Sequence, residues 1–440
     1  MYPTGKNRRL MELTKPKPCV PQWIAACMLV LTASGCGTST IEFGSDKVFS
    51  ERLSIEIGQP LPSQALTDVH DALRSLFGTA NHPALPTMTG PEVVSLPLLE
   101  RAAGAVYSDQ QDNHYGLYRK HCIRCHGTSG NGLGPAARLL SPYPRDFTLG
   151  KFKYKSTPIG TKPTRQDLMR TLQQGIPGTS MPSFKLLKTQ ELEALIDYVI
   201  YLTARGETQR QLLEKVAYEL DYEQGERLFV RELKSSDLET WKQQYKPLED
   251  LAGEKLTRWT AMEESLPLPR ADVPFWSRVA STDSVGQQQL MDSVNRGREL
   301  FAGEIASCSK CHAIDASGQG TPRDYDDWTK DWTTRIGLNP ADKNAIRPLL
   351  RSGALKPVLL APRNLQLGVF RGGGQPEELY LRIVHGIEGT PMPAVALQPA
   401  VPQGLTTAQV WDLVNYIYSL RGTSHWGQLD VPASGQGSIP

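Results

Sequence analysis

Two five-residue stretches, Cys122-Ile123-Arg124-Cys125-His126 and Cys308-Ser309-Lys310-Cys311-His312, constrain this chain more than any other feature. Two cysteines separated by two residues and followed at once by histidine form the pattern through which a haem c is attached covalently. Thiols at that spacing both reach the vinyl groups on one edge of a porphyrin, and the next residue then sits beneath the iron. A histidine there supplies a neutral imidazole, so His126 and His312 are the expected proximal ligands, with Cys122, Cys125, Cys308 and Cys311 as the attachment points. The competing readings are a redox dithiol and half of a zinc site, and neither needs histidine at that place. Four of the seven cysteines are used in this way, which leaves no second pair to complete a zinc site. The expected cofactors are two covalently bound haems c, and the expected chemistry is electron transfer.

The three remaining cysteines, Cys19, Cys27 and Cys36, lie in a leader that opens with Lys6, Arg8, Arg9, Lys15 and Lys17 and continues into the apolar run Trp23 to Leu31. That order is the architecture of a signal peptide. The apolar run is shorter than the roughly 20 residues a membrane-spanning helix needs, so export is expected rather than permanent spanning. Leu31-Thr32-Ala33-Ser34-Gly35-Cys36 resembles a bacterial lipobox, although Ala33 stands where leucine is commoner. The resemblance implies a lipidated Cys36 as the mature N-terminus and an acyl tether to a membrane, on its periplasmic side. Stable anchoring takes more than one acyl chain.

Removing residues 1–35, which hold five basic residues and one acidic residue, turns a formal charge of +2 into −2. Nucleic acid is not an expected partner for such a chain. The mature length suggests two to three domains at roughly 150 residues each, and 33 prolines with 38 glycines point to loop-rich folds wrapped around cofactors.

An internal repeat extends well beyond the haem motifs. Pro144-Arg145-Asp146-Phe147-Thr148-Leu149-Gly150-Lys151-Phe152 is matched by Pro362-Arg363-Asn364-Leu365-Gln366-Leu367-Gly368-Val369-Phe370. Gly175-Ile176-Pro177-Gly178-Thr179-Ser180-Met181-Pro182 is matched by Gly386-Ile387-Glu388-Gly389-Thr390-Pro391-Met392-Pro393. Both copies close with an amphipathic helix, carried by Leu192, Leu195, Ile196, Val199 and Leu202 in the first and by Val410, Leu413, Val414, Ile417 and Leu420 in the second. Each run reaches an Arg-Gly pair, Arg205-Gly206 and Arg421-Gly422, which suits a helix stop.

Helix, Cys-x-x-Cys-His, loop, Gly-Thr-x-Met-Pro and closing helix is the order of a class I cytochrome c domain, and the sequence resembles that family twice, over about Ser108 to Gly206 and Ser293 to Gly422. The resemblance implies a mainly α fold with two class I cytochrome c-like helical domains around covalent haems, joined by a largely helical linker. It also implies that the backbone carbonyls of Pro144 and Pro362 accept a hydrogen bond from the proximal imidazoles, and that Arg145 and Arg363 pair with haem propionates. Surface arginine is the competing account of the last two. On this basis the chain divides into a leader (1–35), a tether and lead-in (36–97), a first haem domain (98–206), a linker (207–292), a second haem domain (293–424) and a tail (425–440).

Met181 and Met392, each in the repeated Gly-Thr-x-Met-Pro context, are the candidates for the sixth ligand, against the reading that they are ordinary core methionines. A thioether favours ferrous iron and raises the potential relative to a second histidine. The rival histidines are His121, His385, His70, His82, His114 and His425. His126 and Met181 are 55 residues apart while His312 and Met392 are 80 apart, so the second domain carries an insertion near Asp324 to Leu355 with Trp328 and Trp332. Docking a partner, shielding the haem, and forming a surface excursion with its own small core are all open for it. Elsewhere, Ser63, Leu66, Val69, Leu73, Leu76 and Gly78 mark one helix in the lead-in. Gly225-Glu226-Arg227-Leu228-Phe229 echoes Gly297-Arg298-Glu299-Leu300-Phe301 without cysteines after it.

Two function classes follow. One is a membrane-tethered dihaem cytochrome that relays single electrons from a membrane dehydrogenase or quinol-oxidising complex to an oxidase or another cytochrome. The other is a dihaem enzyme of the cytochrome c peroxidase kind, or a cytochrome subunit of a larger oxidoreductase. An enzyme haem needs an open distal position, and a methionine in both Gly-Thr-x-Met-Pro loops favours the relay.

Overall fold

The computed structural model describes residues 41–87, 92–260, 283–321 and 323–421. Within them the chain is mainly α-helical, with two small antiparallel two-stranded sheets. The leader, Cys36, His425 and the expected tail lie outside the described residues. Among the described residues no helix is long and apolar enough to cross a membrane.

The expected lead-in is packed structure. α1 (Lys47–Ile57) starts at Asp46, whose carboxylate accepts the Phe49 N–H at 3.0 Å, and closes on Gly58 at φ 73°. α2 (Ser63–Phe77) buries Val69, Leu73, Leu76 and Phe77. It stops at Gly78, where a Cβ would come within 2.3 Å of the His82 carbonyl oxygen. α3 (Leu96–Ala102) follows. Its lead-in is fixed by Ser95, whose N–H donates to Asp197 Oδ2 at 2.7 Å.

The paired residues of β1 (Tyr107–Ser108) and β2 (His114–Tyr115) lead into α4 (Leu117–His121), then α5 (Ile123–His126), which holds the first haem motif. The opening helix of the first half is therefore only five residues long. After a loop with two short 3₁₀ turns, Ala137–Leu139 and Phe147–Leu149, comes α6 (Arg165–Gln174), whose Thr164/Asp167 capping box closes both ends of its first turn.

α7 (Thr189–Tyr218) is the spine, 30 residues long and therefore about 45 Å. α1, α2, α3, α4, α6 and the Phe147–Leu149 turn all pack on it. It does not stop at Arg205-Gly206, and the boundary drawn at 206 falls inside it. A mid-helix glycine costs about 1 kcal/mol relative to alanine. Gly206 stays because a Cβ there would meet Thr148 at 2.5 Å, and Arg205 stays because its guanidinium lies 4.2 Å over the Phe43 ring. Buried Leu212, Leu213 and Val216 carry the apolar face onward.

The expected linker thus begins as the same helix, continuing through α8 (Leu233–Ser236) and α9 (Leu238–Thr257), which packs back on α7 and α2. The Gly225–Phe229 echo is structural: Arg227 pairs with Asp68 at 2.6 Å, and Leu228 and Phe229 are buried.

In the second half α10 (Ser284–Ala302) crosses the closing helix α15 (Thr407–Ser419) at Gly297, where a Cβ would sit 2.0 Å from the Asp412 carbonyl oxygen. Ser293 donates to Asp412 Oδ1 at 2.6 Å, and Arg296 spans both Asp412 oxygens at 2.9 Å. Val410, Leu413 and Val414 are fully buried in the core below, each contributing about 1.5–3 kcal/mol.

Between these two helices lie α11 (Cys308–His312), the insertion, and α14 (Pro376–His385). The insertion comprises β3 (Asp324–Tyr325), α12 (Asp327–Asp331), α13 (Arg347–Arg351) and β4 (Leu359–Leu360), the two strands being paired. It has its own small core of Trp332, Ile346, Leu349 and Ala354, completed by Val48 and Ile55 of α1. Trp328 meets Tyr143 at 5.6 Å, and Asp331 pairs with Arg210 of α7. What this excursion docks against is the first half of its own chain.

Candidate haem-binding sites

Each haem motif occupies one short helical turn whose following loop doubles back on it. The Gly132 N–H donates to the His126 carbonyl at 3.0 Å, and the Gly318 N–H donates to the His312 carbonyl at 2.8 Å. Side chains at Gly134 and Gly320 would collide with Arg124 and Cys311 carbonyl oxygens at 2.5 Å, which explains the repeated glycines.

His126 Nδ1 donates to the Arg145 carbonyl at 3.0 Å and His312 Nδ1 to the Arg363 carbonyl at 2.9 Å. With Nδ1 carrying the proton, Nε2 of each imidazole holds the lone pair that a metal needs. The expected acceptors were Pro144 and Pro362, and the actual ones are one residue further on. The proline carbonyls instead face Gly132 and Gly318, where a Cβ would lie 2.9 Å and 2.5 Å away. Asp146 and Asn364 then turn the next carbonyl toward the imidazole, capping the following 3₁₀ turn through Thr148 N at 2.8 Å and Gln366 N at 3.0 Å. Burial lowers the pKa of both histidines and so favours the neutral ring. Phe147 stacks on His126 with centroids 4.6 Å apart.

The four thiols are unpaired. Burial pushes Cys122 up to about 12 and Cys308 to about 11. Among the described residues no group of three or more His, Cys, Asp and Glu side chains is placed to hold a metal ion.

The methionine loops match bond for bond. Thr179 Oγ1 donates to the Ile176 carbonyl at 2.8 Å and accepts the Met181 N–H at 3.1 Å. Thr390 Oγ1 donates to the Ile387 carbonyl at 2.7 Å and accepts the Met392 N–H at 3.2 Å. Ile176 and Ile387 N–H groups close each loop on the methionine carbonyls at 3.1 Å. Gly175 and Gly386 have φ 68° and 65°, and their Cβ positions lie 2.8 Å from those same carbonyls. Gly-Thr-x-Met-Pro is therefore a self-tied loop that fixes the methionine backbone while its half-buried side chain makes no hydrogen bond among the described residues.

Of the rival histidines, His114 is held by Glu191 at 2.6 Å, and His121 lies edge-on to Phe184 at 5.7 Å with Nε2 buried and unbonded among the described residues.

Arg145 and Arg363 are half-buried. Arg363 Nη2 lies 3.3 Å from the Cβ position of Gly178, in the methionine loop of the other half, and Arg145 Nη1 lies 3.5 Å from that of Gly389. The two halves meet here in a reciprocal seam. Arg382 donates to the Lys153 carbonyl at 3.1 Å and to the Lys155 carbonyl. Lys155 forms a buried pair with Glu388, and Lys151 pairs with Asp327. Burial, and then the neighbouring Arg145, lower Lys153 to about 7.

Arg363 Nε and Nη2, together with Nε of Arg371, Arg382 and Arg421, are buried without hydrogen-bond partners among the described residues. An unpaired buried donor costs about 1–3 kcal/mol, and more when charged. Haem propionates supply the anionic acceptors that these guanidinium groups lack, so the residues present fit the cofactor. Sequence reasoning singled out Arg145 and Arg363 but passed over Arg371, Lys153 and Tyr154. Extending the repeat by two positions beyond Phe152 and Phe370 would have exposed them.

Residues 109–199 match the family model described as cytochrome C oxidase, cbb3-type, subunit III. The match marks this segment as a cytochrome c domain, which implies covalently bound haem c with iron. A comparison with solved structures finds similarity to a chain described as Kuenenia stuttgartiensis reducing HAO-like protein complex, with 22% identity and a TM-score of 0.40 over 70% of this chain and 94% of that one. Comparison with curated proteins gives no match.

Proposed function

We propose that the chain is an exported, membrane-tethered dihaem cytochrome c that relays single electrons between respiratory redox proteins. The observation that carries this reading is the seam: two sites of like build, in which Arg145 and Arg363 each reach into the other site's methionine loop.

In this reading Cys122 and Cys125 would hold one haem and Cys308 and Cys311 the other, with His126 and Met181, and His312 and Met392, as the residues that would ligate the irons. Haem iron supplies the one-electron couple when bound. The polypeptide keeps each imidazole oriented through the Arg145 and Arg363 carbonyls and ties each methionine in place through Thr179 and Thr390. A ligand set fixed on both faces changes little between oxidation states, which keeps reorganisation small. The seam supports direct exchange between the two sites. Cys36 carries the lipid tether, and a membrane dehydrogenase or quinol-oxidising complex and an oxidase or second cytochrome are the donor and acceptor.

Haem quantification of the purified protein is expected to give two haems per chain. The ferric near-infrared sulfur-to-iron band should be present at both sites, and the ferrous protein should resist carbon monoxide. Met181→Ala and Met392→Ala should each remove one site's band and open that site. A high-spin component in the unmodified protein would favour the enzymatic reading. Labelling with a fatty acid that is lost in Cys36→Ser tests the tether.

A further inference from the structure

The two halves are not equivalent at the seam, and a single residue breaks the likeness. Continuing the repeat past Phe152 and Phe370 pairs Lys153 with Arg371 and Tyr154 with Gly372. Gly372 does not have a left-handed backbone, so no turn demands glycine there. What it provides is room: a Cβ on Gly372 would stand 2.8 Å from Tyr154 Cδ1 and 3.2 Å from Arg382 Cδ. The ring of the first half thus fills the place that its own counterpart leaves empty in the second.

The Tyr154 hydroxyl makes no hydrogen bond among the described residues, and its electrostatic neighbours are Arg371, Arg145, Arg363 and Arg382. Three of the four belong to the second half. All three of these, Arg363, Arg371 and Arg382, have buried donors that lack acceptors among the described residues. A neutral O–H set among cations is not there to neutralise charge. It can donate to the same anionic acceptors as the guanidinium groups.

Resting on the dihaem reading, we infer that Tyr154 is a positioning residue supplied by the first half to the carboxylate site of the second haem. It donates its hydroxyl proton to a propionate held by Arg363 and Arg371, and so raises the second site's potential above the first. Withdrawing charge from a carboxylate close to iron favours the ferrous state, and Gly372 denies the first site the same help. Electrons then pass from the first haem to the second.

The test is a spectroelectrochemical titration of the whole chain and of Tyr154→Phe, which keeps the ring in place and removes only the donor. The two components are assigned by Met392→His, which moves the second haem's component. In Tyr154→Phe that component should fall, shifting the sharing of one electron between the sites about tenfold toward the first haem, the scale of one hydrogen bond to a charged group. The first component, the near-infrared bands and the melting temperature should not change. Gly372→Ala should move the same component in the same direction by displacing the ring. Two components that titrate in both variants as in the parent would overturn the inference and leave the dihaem reading standing, and so would movement of the first component alone. A parent that titrates as one haem would sink the dihaem reading itself.

Discussion

Arg363 Nη2 lies 3.3 Å from the point where Gly178 would carry a Cβ, although the two residues belong to different haem-motif halves of the chain. Gly178 also has φ 67°. Placing a side chain there meets both backbone strain and the guanidinium, and the left-handed conformation alone costs about 1–2 kcal/mol. Gly178→Ala should lower stability by about that amount in denaturant unfolding of the haem-loaded protein. The equivalent Gly389→Ala, with φ 74° and 3.5 Å to Arg145 Nη1, should behave alike.

Arg363→Gln keeps the backbone carbonyl that orients His312 but removes a buried positive charge. On the dihaem proposal, the second site's midpoint potential should drop while its ligand set, read by the near-infrared band, persists. A retained potential would show that this arginine does not serve the cofactor.

Thr179→Val removes the hydroxyl that both accepts the Met181 N–H and donates to Ile176. Leaving those backbone groups without a partner costs about 1–3 kcal/mol. The expected result is weakened sulfur ligation at the first site alone, measured as partial carbon monoxide binding by the ferrous protein. Thr390→Val should do the same at the second.

Burial raises the Asp146 carboxyl to about 7, against the pull of Arg210. As pH rises from about 4 to about 7 the unfolded chain gives up this proton while the folded one keeps it, so stability falls across that window and levels off above it. Asp146→Asn preserves the turn that Asn364 makes in the second half and removes this loss. The variant should match the parent near pH 4 and melt higher at pH 8. Thermal unfolding at several pH values checks this, and parallel curves would refute it.

Gly297→Ala should be the most damaging of these substitutions. Its methyl would lie 2.0 Å from the Asp412 carbonyl oxygen where two helices cross, and overpacking a close crossing costs about 1–3 kcal/mol or more. Reduced haem incorporation at the second motif and an earlier unfolding step are expected.

Much of each candidate site was legible in the amino-acid order because its chemistry is local. Cys-x-x-Cys-His is five consecutive residues, Gly-Thr-x-Met-Pro closes hydrogen bonds within itself, and the face through Val410, Leu413 and Val414 is one turn repeated. The helix predicted from Ser63 to Gly78 forms for the same reason. What failed were inferences that treated a local signal as final. Arg205-Gly206 reads as a stop, yet Thr148 and Phe43, more than fifty residues away, hold the helix on course through it. Pro144 and Pro362 read as imidazole acceptors, but glycine contacts across the loop turn the following carbonyl inward instead.

The residues alone pointed to the attachment chemistry and determined the mainly α class and the twofold repeat, since covalent spacing and helical period are properties of neighbours along the chain. Only the tertiary structure decided that the second half's insertion seats on α1 and α7, that Arg145 and Arg363 exchange places across a seam, and that Tyr154 fills the hollow at Gly372. These are contacts between segments hundreds of residues apart. They are set by which buried charges and volumes complement one another, and no periodicity records that.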